Sequence, residues 1–412
     1  MSSAIAVTGI GLVTPGGIGT EATWQTVCGG HSTARTDPEL KGLPVDFSCR
    51  VPGFDADALS GTRQLWRYDR STQLLLAASA EALRSARLDP ADWDPTRIAL
   101  VVGSAAGGIS TLESQHRKLL DHGPRSLSPL TLTGYLPNMA AGHLTLALGI
   151  TGPALQTSTA CASGASAVIT AALLLDANLC DIALAAGCDS MITPLCTAAF
   201  TKMGALSRRT HDPAHASRPF DRHRDGFVIG EGAAMLVLER TAHASARQAS
   251  PRAHLVGHAA TSDAHHATTP HPEGQGLRRA VLQTLRTADV TIADVDHINA
   301  HGTSTLLNDQ TEAALIRTLF TSHTPSVTSA KGVLGHTMGA AGAIEAALTV
   351  MSLERQLAPP TANFTEPDET TQGLDLVTDH ARQQHLNLAL SHSLGFGGHN
   401  TVLAFSSTNA TA

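Results

Sequence analysis

Two stacked α/β halves related by pseudo-symmetry are the fold class predicted here, on three observations. The order of elements repeats: a strand, a tight turn and a small-residue helix in residues 151–178 return in residues 326–353. Several apolar runs are continuous rather than alternating, as in residues 97–108 (RIALVVGSAAGG), which suits strands buried on both faces of a parallel or mixed sheet. Aromatic residues make up only 3% of the 412 residues while glycines number 36, so the core must be built from small and aliphatic side chains in closely packed layers.

Residues 4–13 read as a buried strand. Gly9 and Gly11 begin a dinucleotide-type glycine pattern, but Thr14 stands where the third glycine is needed, so that motif is rejected. Residues 63–70 (RQLWRYDR) are basic and lead into an amphipathic helix, 71–87, with Leu75, Ala78, Ala82, Leu83 and Ala86 on one face. The run 97–102 is the next strand. Residues 154–159 are compact and part β-branched, small residues crowd 161–167, and an apolar stretch, 168–175, is long enough for a buried helix. Residues 182–187 give another buried strand. Residues 207–226 are polar and arginine-rich and read as an exposed loop whose Arg208, Arg209, Arg218, Arg222 and Arg224 either receive an acidic partner or solvate the surface beside Asp212, Asp221 and Asp225. A strand at 231–240 closes the half, and a polar connector, 241–252, sets a boundary near 250, giving halves 1–250 and 251–412.

The second half follows the first. A strand at 253–260 precedes a helix at 275–288 with Leu277, Val281 and Leu285 in register. A strand at 296–300 runs into a small-residue turn and a helix at 308–320, and a strand at 326–330 runs into a glycine turn and a helix at 339–353. Glycine-rich residues 391–400 precede a terminal strand at 402–405, as RDGFVIGEG precedes AMLVLE. Residues 358–373 read as a Pro-, Thr- and acid-rich surface loop.

A net charge of −7 without long basic runs argues against nucleic acid or an anionic membrane as partner. The six cysteines show no CxxC pair, which suits reduced thiols in the cytoplasm, and no signal segment or membrane span is read.

Chemistry points to Cys161. A cysteine at the first turn of a helix meets unpaired N–H groups and the positive end of the macrodipole, so a thiolate is expected there. Taken alone, the stretch also fits a structural cysteine packed as a small hydrophobe. Under the duplicated reading, the turn carrying Cys161 meets the corresponding turn of the second half, KGVLGHTMGAAG, which brings His336 beside it. His301, in NAHGTSTLLND, lies just past a buried strand, at the loop end where α/β sheets place chemistry. No zinc spacing links these histidines, so no metal is expected. His265, His266 and His271 fall in a polar, proline-bearing stretch and read as a solvated loop.

At these residues the chain resembles the thiolase-fold condensing enzymes, and within them the β-ketoacyl-acyl carrier protein synthases of the type II, elongating kind. The resemblance covers nearly the whole chain. It is carried in family order by TACASG at Cys161, HGTST at His301, KGVLGHTMGAAG with Lys331 and His336, and GFGGHN from Gly395 to Asn400. Two histidines separate the chain from the initiating and chalcone-type synthases, and the lack of any cysteine after Cys196 separates it from the degradative thiolases. The resemblance implies a layered α-β-α-β-α thiolase-like fold. It also implies decarboxylative Claisen condensation of an acyl group on Cys161 with malonyl-acyl carrier protein, lengthening a fatty acid or polyketide chain by two carbons.

By the same resemblance, His301 and His336 stabilise the malonyl-derived enolate, and backbone N–H groups of Cys161 and Phe396 form the oxyanion hole. Lys331 and Glu345 are an orienting ion pair with no proton transfer, and Asp309 and Glu312 stand behind His301. Thr303 and Thr305 hold the pantetheine arm, Gly395 and Gly397 allow close backbone approach, and Phe200 borders the substrate. Small residues at Ala106 and Thr131 imply a deeper acyl tunnel, the second contributed across a subunit interface. No tightly bound cofactor is expected, because substrates arrive on the phosphopantetheine of acyl carrier protein. That protein would dock near Arg67 and Arg208, and the chain would pair as a homodimer or with a chain-length-factor-like subunit. The non-condensing chain-length subunit itself lacks the cysteine, and a thiol hydrolase would use Cys161 with a single histidine. One departure stands out: the family's usual Asn-Ser-Phe before GFGG is His392-Ser393-Leu394 here, so packing behind that loop is expected to differ.

Overall fold

A computed structural model describes residues 4–55, 65–321 and 323–408; Arg63, at the start of the basic stretch, lies outside them. Five strands of the first half lie along the main path of the large sheet, with the two-residue strand Gly17–Ile18 pairing beside the first: β1 (Ile5–Thr14), β2 (Ile98–Gly103), β3 (Ala154–Thr157), β4 (Ile182–Ser190) and β5 (Glu231–Arg240). Six build the second: β6 (Ala253–Ser262), β7 (His297–Asn299), β8 (Ser326–Thr328), β9 (Asp375–Leu376), β10 (Leu388–Gly395) and β11 (His399–Ser406).

The first half is ordered β1-β5-β4-β2-β3 and the second β6-β11-β10-β7-β8-β9. In each, the first two pairings are antiparallel and the next two parallel. The element repeat read in the sequence is therefore a repeat of topology, with β9 an added edge. The halves join where β1 and β6 pair antiparallel through Ile5 and Leu255, Ala6 and His254, and Val7 and Ala253.

Helices α1 (Arg70–Ala86), α2 (Ser163–Asp176), α3 (Gln275–Ala288), α4 (Leu306–Leu319) and α5 (Ala341–Arg355) complete the layers. Along β2, Ala99 and Val101 point into the central core with α2 and α5, while Ile98, Leu100 and Val102 point outward against Leu74, Leu75 and Ala78 of α1. Burial on both faces is why this run is continuously apolar. On the other side, α3 and α4 cover Ile298, Val327, Leu390 and Val402. The central helices touch backbone to backbone: a Cβ on Gly164 would lie 2.6 Å from the Ala343 nitrogen, and one on Gly342 would lie 2.6 Å from the Ala165 nitrogen.

Two expectations are corrected. Residues 391–395 are not loop but the end of β10, paired with β11 from Leu388 and Ser406 to Gly395 and His399, so only three residues form the turn. The arginine segment is not an exposed loop throughout: Arg218 and Arg224 are buried, because Asp221 accepts from Arg218 Nε at 2.7 Å and Asp368 from Arg224 Nη1 at 2.7 Å. Only Arg208 and Arg222 of that set are exposed, with Arg209 between. Among the described residues no helix is long and apolar enough to cross a membrane.

Candidate active site

Between β3 and α2 the chain turns sharply. Ala160 sits at φ 51°, a left-handed conformation that costs a non-glycine residue on the order of 1 kcal/mol and persists only where neighbours fix it. Ser163 does so: its hydroxyl donates to the Ala160 carbonyl at 2.6 Å and accepts from the Thr159 N–H at 3.0 Å. Cys161 is thereby held two residues ahead of the first residue of α2, buried at the inner end of a cavity of about 640 Å³. Phe396, in the turn after β10, lines the same cavity, and its backbone N–H and that of Cys161 favour negative charge on Sγ. Burial nevertheless pushes the Cys161 thiol up to about 12, against the Lys331 charge and these N–H groups. This shift runs against the thiolate expected at the helix end, because burial strips the charged form of its hydration.

His301 follows β7, and His336 follows a short helix, Lys331–Leu334, and Gly335 at φ 66°. The first half of the chain fixes the second histidine: His336 N–H donates to the Val228 carbonyl at 2.7 Å, and Gly230 N–H donates to the His336 carbonyl at 2.8 Å. The imidazoles stand edge to face, 5.5 Å apart at 86°, and the Phe227 ring meets His336 edge-on at 5.3 Å. Burial, then the nearby Lys331 charge, holds both well below the usual histidine range, so both are neutral donors.

Lys331, 2% exposed, is ion-paired with Glu345 and donates to the His301 carbonyl at 2.6 Å; burial pushes the Glu345 carboxyl up to about 7 against that charge. Glu312 and Asp309 do not cap α4, whose N-cap residue Thr305 makes no side-chain capping bond. They reach back to the His301 loop instead. Glu312 accepts from His301 N–H at 2.9 Å and Gly302 N–H at 2.8 Å, and Asp309 accepts from Phe220 N–H at 2.8 Å and Ser304 N–H at 3.1 Å. Burial pushes Asp309 up to about 6, whereas bonds from His392 and the loop amides hold Glu312 low despite burial.

The cavity wall brings together Cys161, His301, His336, Phe396, Gly395, Thr303, Thr305 and Phe200. Thr303 and Thr305 share a hydroxyl bond of 2.9 Å. Gly395 is required by approach, since a Cβ there would lie 2.3 Å from the Thr159 oxygen. Two residues expected at the substrate lie outside the cavity wall. Gly397, at φ 87°, donates to the Ala267 carbonyl at 2.7 Å and is not in the wall. In the loop after β2, Ala105 lines the cavity while Ala106 does not, its N–H turning to Asp189 at 3.4 Å. Thr131 lies at the start of a short helix, Thr131–Tyr135, with its hydroxyl on the Ser128 carbonyl at 2.6 Å, and lines no part of this chain's cavity.

Three features escaped sequence reading. Asp189, buried, accepts from Ser104 Oγ at 2.6 Å, Ala105 N–H at 2.8 Å and Gly339 N–H at 2.6 Å, tying the loop after β2 to the segment after His336; burial pushes it up to about 6. An aspartate inside an apolar run was the available signal. The polar loop beyond β6 walls the cavity with Asp263, Thr268, Thr269 and Pro270, while its histidines are exposed or half-buried. His392, fully buried, sits behind His301 against Glu312. Among the described residues no group of three or more His, Cys, Asp or Glu side chains is placed to hold a metal ion.

Family models for the beta-ketoacyl synthase N-terminal and C-terminal domains match residues 2–244 and 252–365. A 3-oxoacyl-[acyl-carrier-protein] synthase 2 from Synechocystis sp. is 39% identical over 407 residues, spanning 97% of both chains. Among solved structures, the ishigamide ketosynthase/chain length factor superposes with a TM-score of 0.92 at 29% identity, covering 99% of this chain and 100% of that one. A type II polyketide ketosynthase in complex with its acyl-carrier protein, bound to the hexaketide, superposes at 0.91 and 27% identity, with 99% and 100% covered.

Proposed function

The chain belongs to the beta-ketoacyl synthase family, and on that premise we propose how its own residues carry the condensation and with whom. It is an acyltransferase that lengthens an acyl chain with malonyl-acyl carrier protein. The observation that carries the residue assignment is the convergence of one buried thiol, two neutral imidazoles and Phe396 on a single cavity.

Cys161 Sγ attacks the acyl thioester carbonyl, and the pantetheine thiol leaves with the proton. The tetrahedral oxyanion rests on the Cys161 and Phe396 N–H groups. Malonyl thioester then binds with its carbonyl oxygen between His301 and His336. Loss of carbon dioxide leaves its electron pair as an enolate, which the two imidazole N–H groups stabilise. The enolate carbon attacks the acyl carbonyl, the C–S bond breaks, and the released Cys161 thiolate takes up a proton from solvent to restore the thiol. Neutral histidines suit this task, since an enolate needs donors and not a competing proton source.

Thr303 and Thr305 are assigned to the pantetheine arm, which supplies the only prosthetic chemistry, so no tightly bound cofactor is invoked. Acyl carrier protein is the partner, its docking supported by exposed Arg67, Arg208 and Arg222. A second subunit, either another copy or a chain length factor, completes the assembly, as in the ishigamide ketosynthase/chain length factor. Six unpaired cysteines support a reducing cytoplasm as its place. The test is product analysis with acyl- and malonyl-acyl carrier protein: wild type should yield the β-ketoacyl product and Cys161→Ala none. Equal product from both would refute Cys161 as the nucleophile.

A further inference from the structure

We propose that His392 is a positioning residue for His301, acting through Glu312; the inference rests on the condensing reading of the same site. His392 lies on β10, four residues before Phe396, and its side chain is wholly buried. Its Nδ1 lies 3.1 Å from Glu312 Oε1, the oxygen that also accepts the His301 N–H at 2.9 Å. The other carboxylate oxygen takes the Gly302 N–H at 2.8 Å. A carboxylate only accepts, so His392 Nδ1 carries the proton and donates. Its Nε2 has no hydrogen-bond partner among the described residues, so the ring's one polar contact is the one to Glu312.

The result is a strut across three elements. β10 carries the Phe396 N–H at its end, α4 carries Glu312, and the loop after β7 carries His301; His392 ties the first to the third through the second. Without it, Glu312 keeps its bonds to the loop but loses the contact that fixes the carboxylate relative to β10. His301 would then drift against the oxyanion hole, and a shift near 1 Å costs a positioned donor as much as a hundredfold in rate. Asparagine, which stands here in the usual family pattern, places its side-chain NH₂ close to where Nδ1 lies, so it supplies the same donor. Leucine fills similar space and supplies none.

The experiment separates the two half-reactions. Acyl transfer to Cys161 is followed by intact mass and malonyl-carrier-protein decarboxylation by carbon dioxide release, for wild type, His392→Leu and His392→Asn. His392→Leu should slow decarboxylation at least about tenfold while acyl transfer stays within about threefold. His392→Asn should keep both within about threefold of wild type. Equal loss of both half-reactions in a folded His392→Leu, or a selective loss in His392→Asn, would overturn the proposal. A His392→Leu that fails to fold leaves the asparagine arm deciding alone. Wild type inactive in both assays would overturn the condensing reading itself.

Discussion

Lys331 Nζ stands 3.3 Å from His301 Nδ1 while donating to the His301 carbonyl at 2.6 Å. An ammonium has no lone pair, so Nδ1 must present its own, and the imidazole proton sits on Nε2. One buried lysine thereby sets the tautomer that lets His301 donate into the cavity it lines.

Removing that lysine should do two separable things. Lys331→Met leaves Glu345 buried without its partner, at a cost of about 3 kcal/mol, and frees His301 to take the wrong tautomer. Adding Glu345→Gln should restore most of the melting temperature without restoring carbon dioxide release. Recovery of both together would show that Lys331 acts only through stability.

The state of Cys161 gives a pH test. With the thiol pushed up to about 12, the thiolate fraction grows as pH rises throughout the accessible range. Iodoacetamide labelling of the Cys161 peptide should therefore accelerate about tenfold per pH unit between pH 7 and 9.5. A plateau below pH 8 would mark a resting thiolate.

His336→Ala should leave acyl transfer to Cys161 intact and slow malonyl decarboxylation by about a hundredfold, the usual effect of losing one preorganised donor. Radiolabelled acyl and malonyl carrier proteins read the two steps separately. Near-normal condensation would remove His336 from the chemistry.

The packing of the two central helices offers a stability test. Gly164→Ala or Gly342→Ala inserts a methyl group into backbone of the opposite central helix, and should cost about 1–3 kcal/mol in urea unfolding. Unchanged stability would mean that the helices separate easily.

Much of this was legible because burial writes itself in the sequence. Strands covered on both faces, such as Ile98–Gly103 and Glu231–Arg240, show as unbroken apolar runs, and α3 shows its period plainly. The helices Ile109–His122 and Met139–Leu148 escaped because neither has a buried stripe of the usual kind: one buries only Gln115, the other buries three of ten residues. Within the site, Cys161, His301 and His336 were marked by their turns. Asp189 was not, and His392 showed only as a departure from the family pattern, because their roles come from partners distant in sequence: Asp189 bonds Gly339 across 150 residues and His392 bonds Glu312 across 80. The Cys161 thiol was misjudged for the same reason. Its helix end is local and readable, whereas the burial that outweighs it is built by the whole fold.

The central claim is that Cys161 carries the growing chain and surrenders it to a malonyl-derived enolate. Intact mass spectrometry of wild type, first with acyl-carrier protein alone and then with malonyl-carrier protein added, tests it directly. The account predicts one acyl increment on the Cys161 peptide, stable until malonyl-carrier protein arrives, then lost as a carrier-bound β-ketoacyl chain two carbons longer appears. Absence of that adduct, or its discharge as free acid without malonyl-carrier protein, would contradict it.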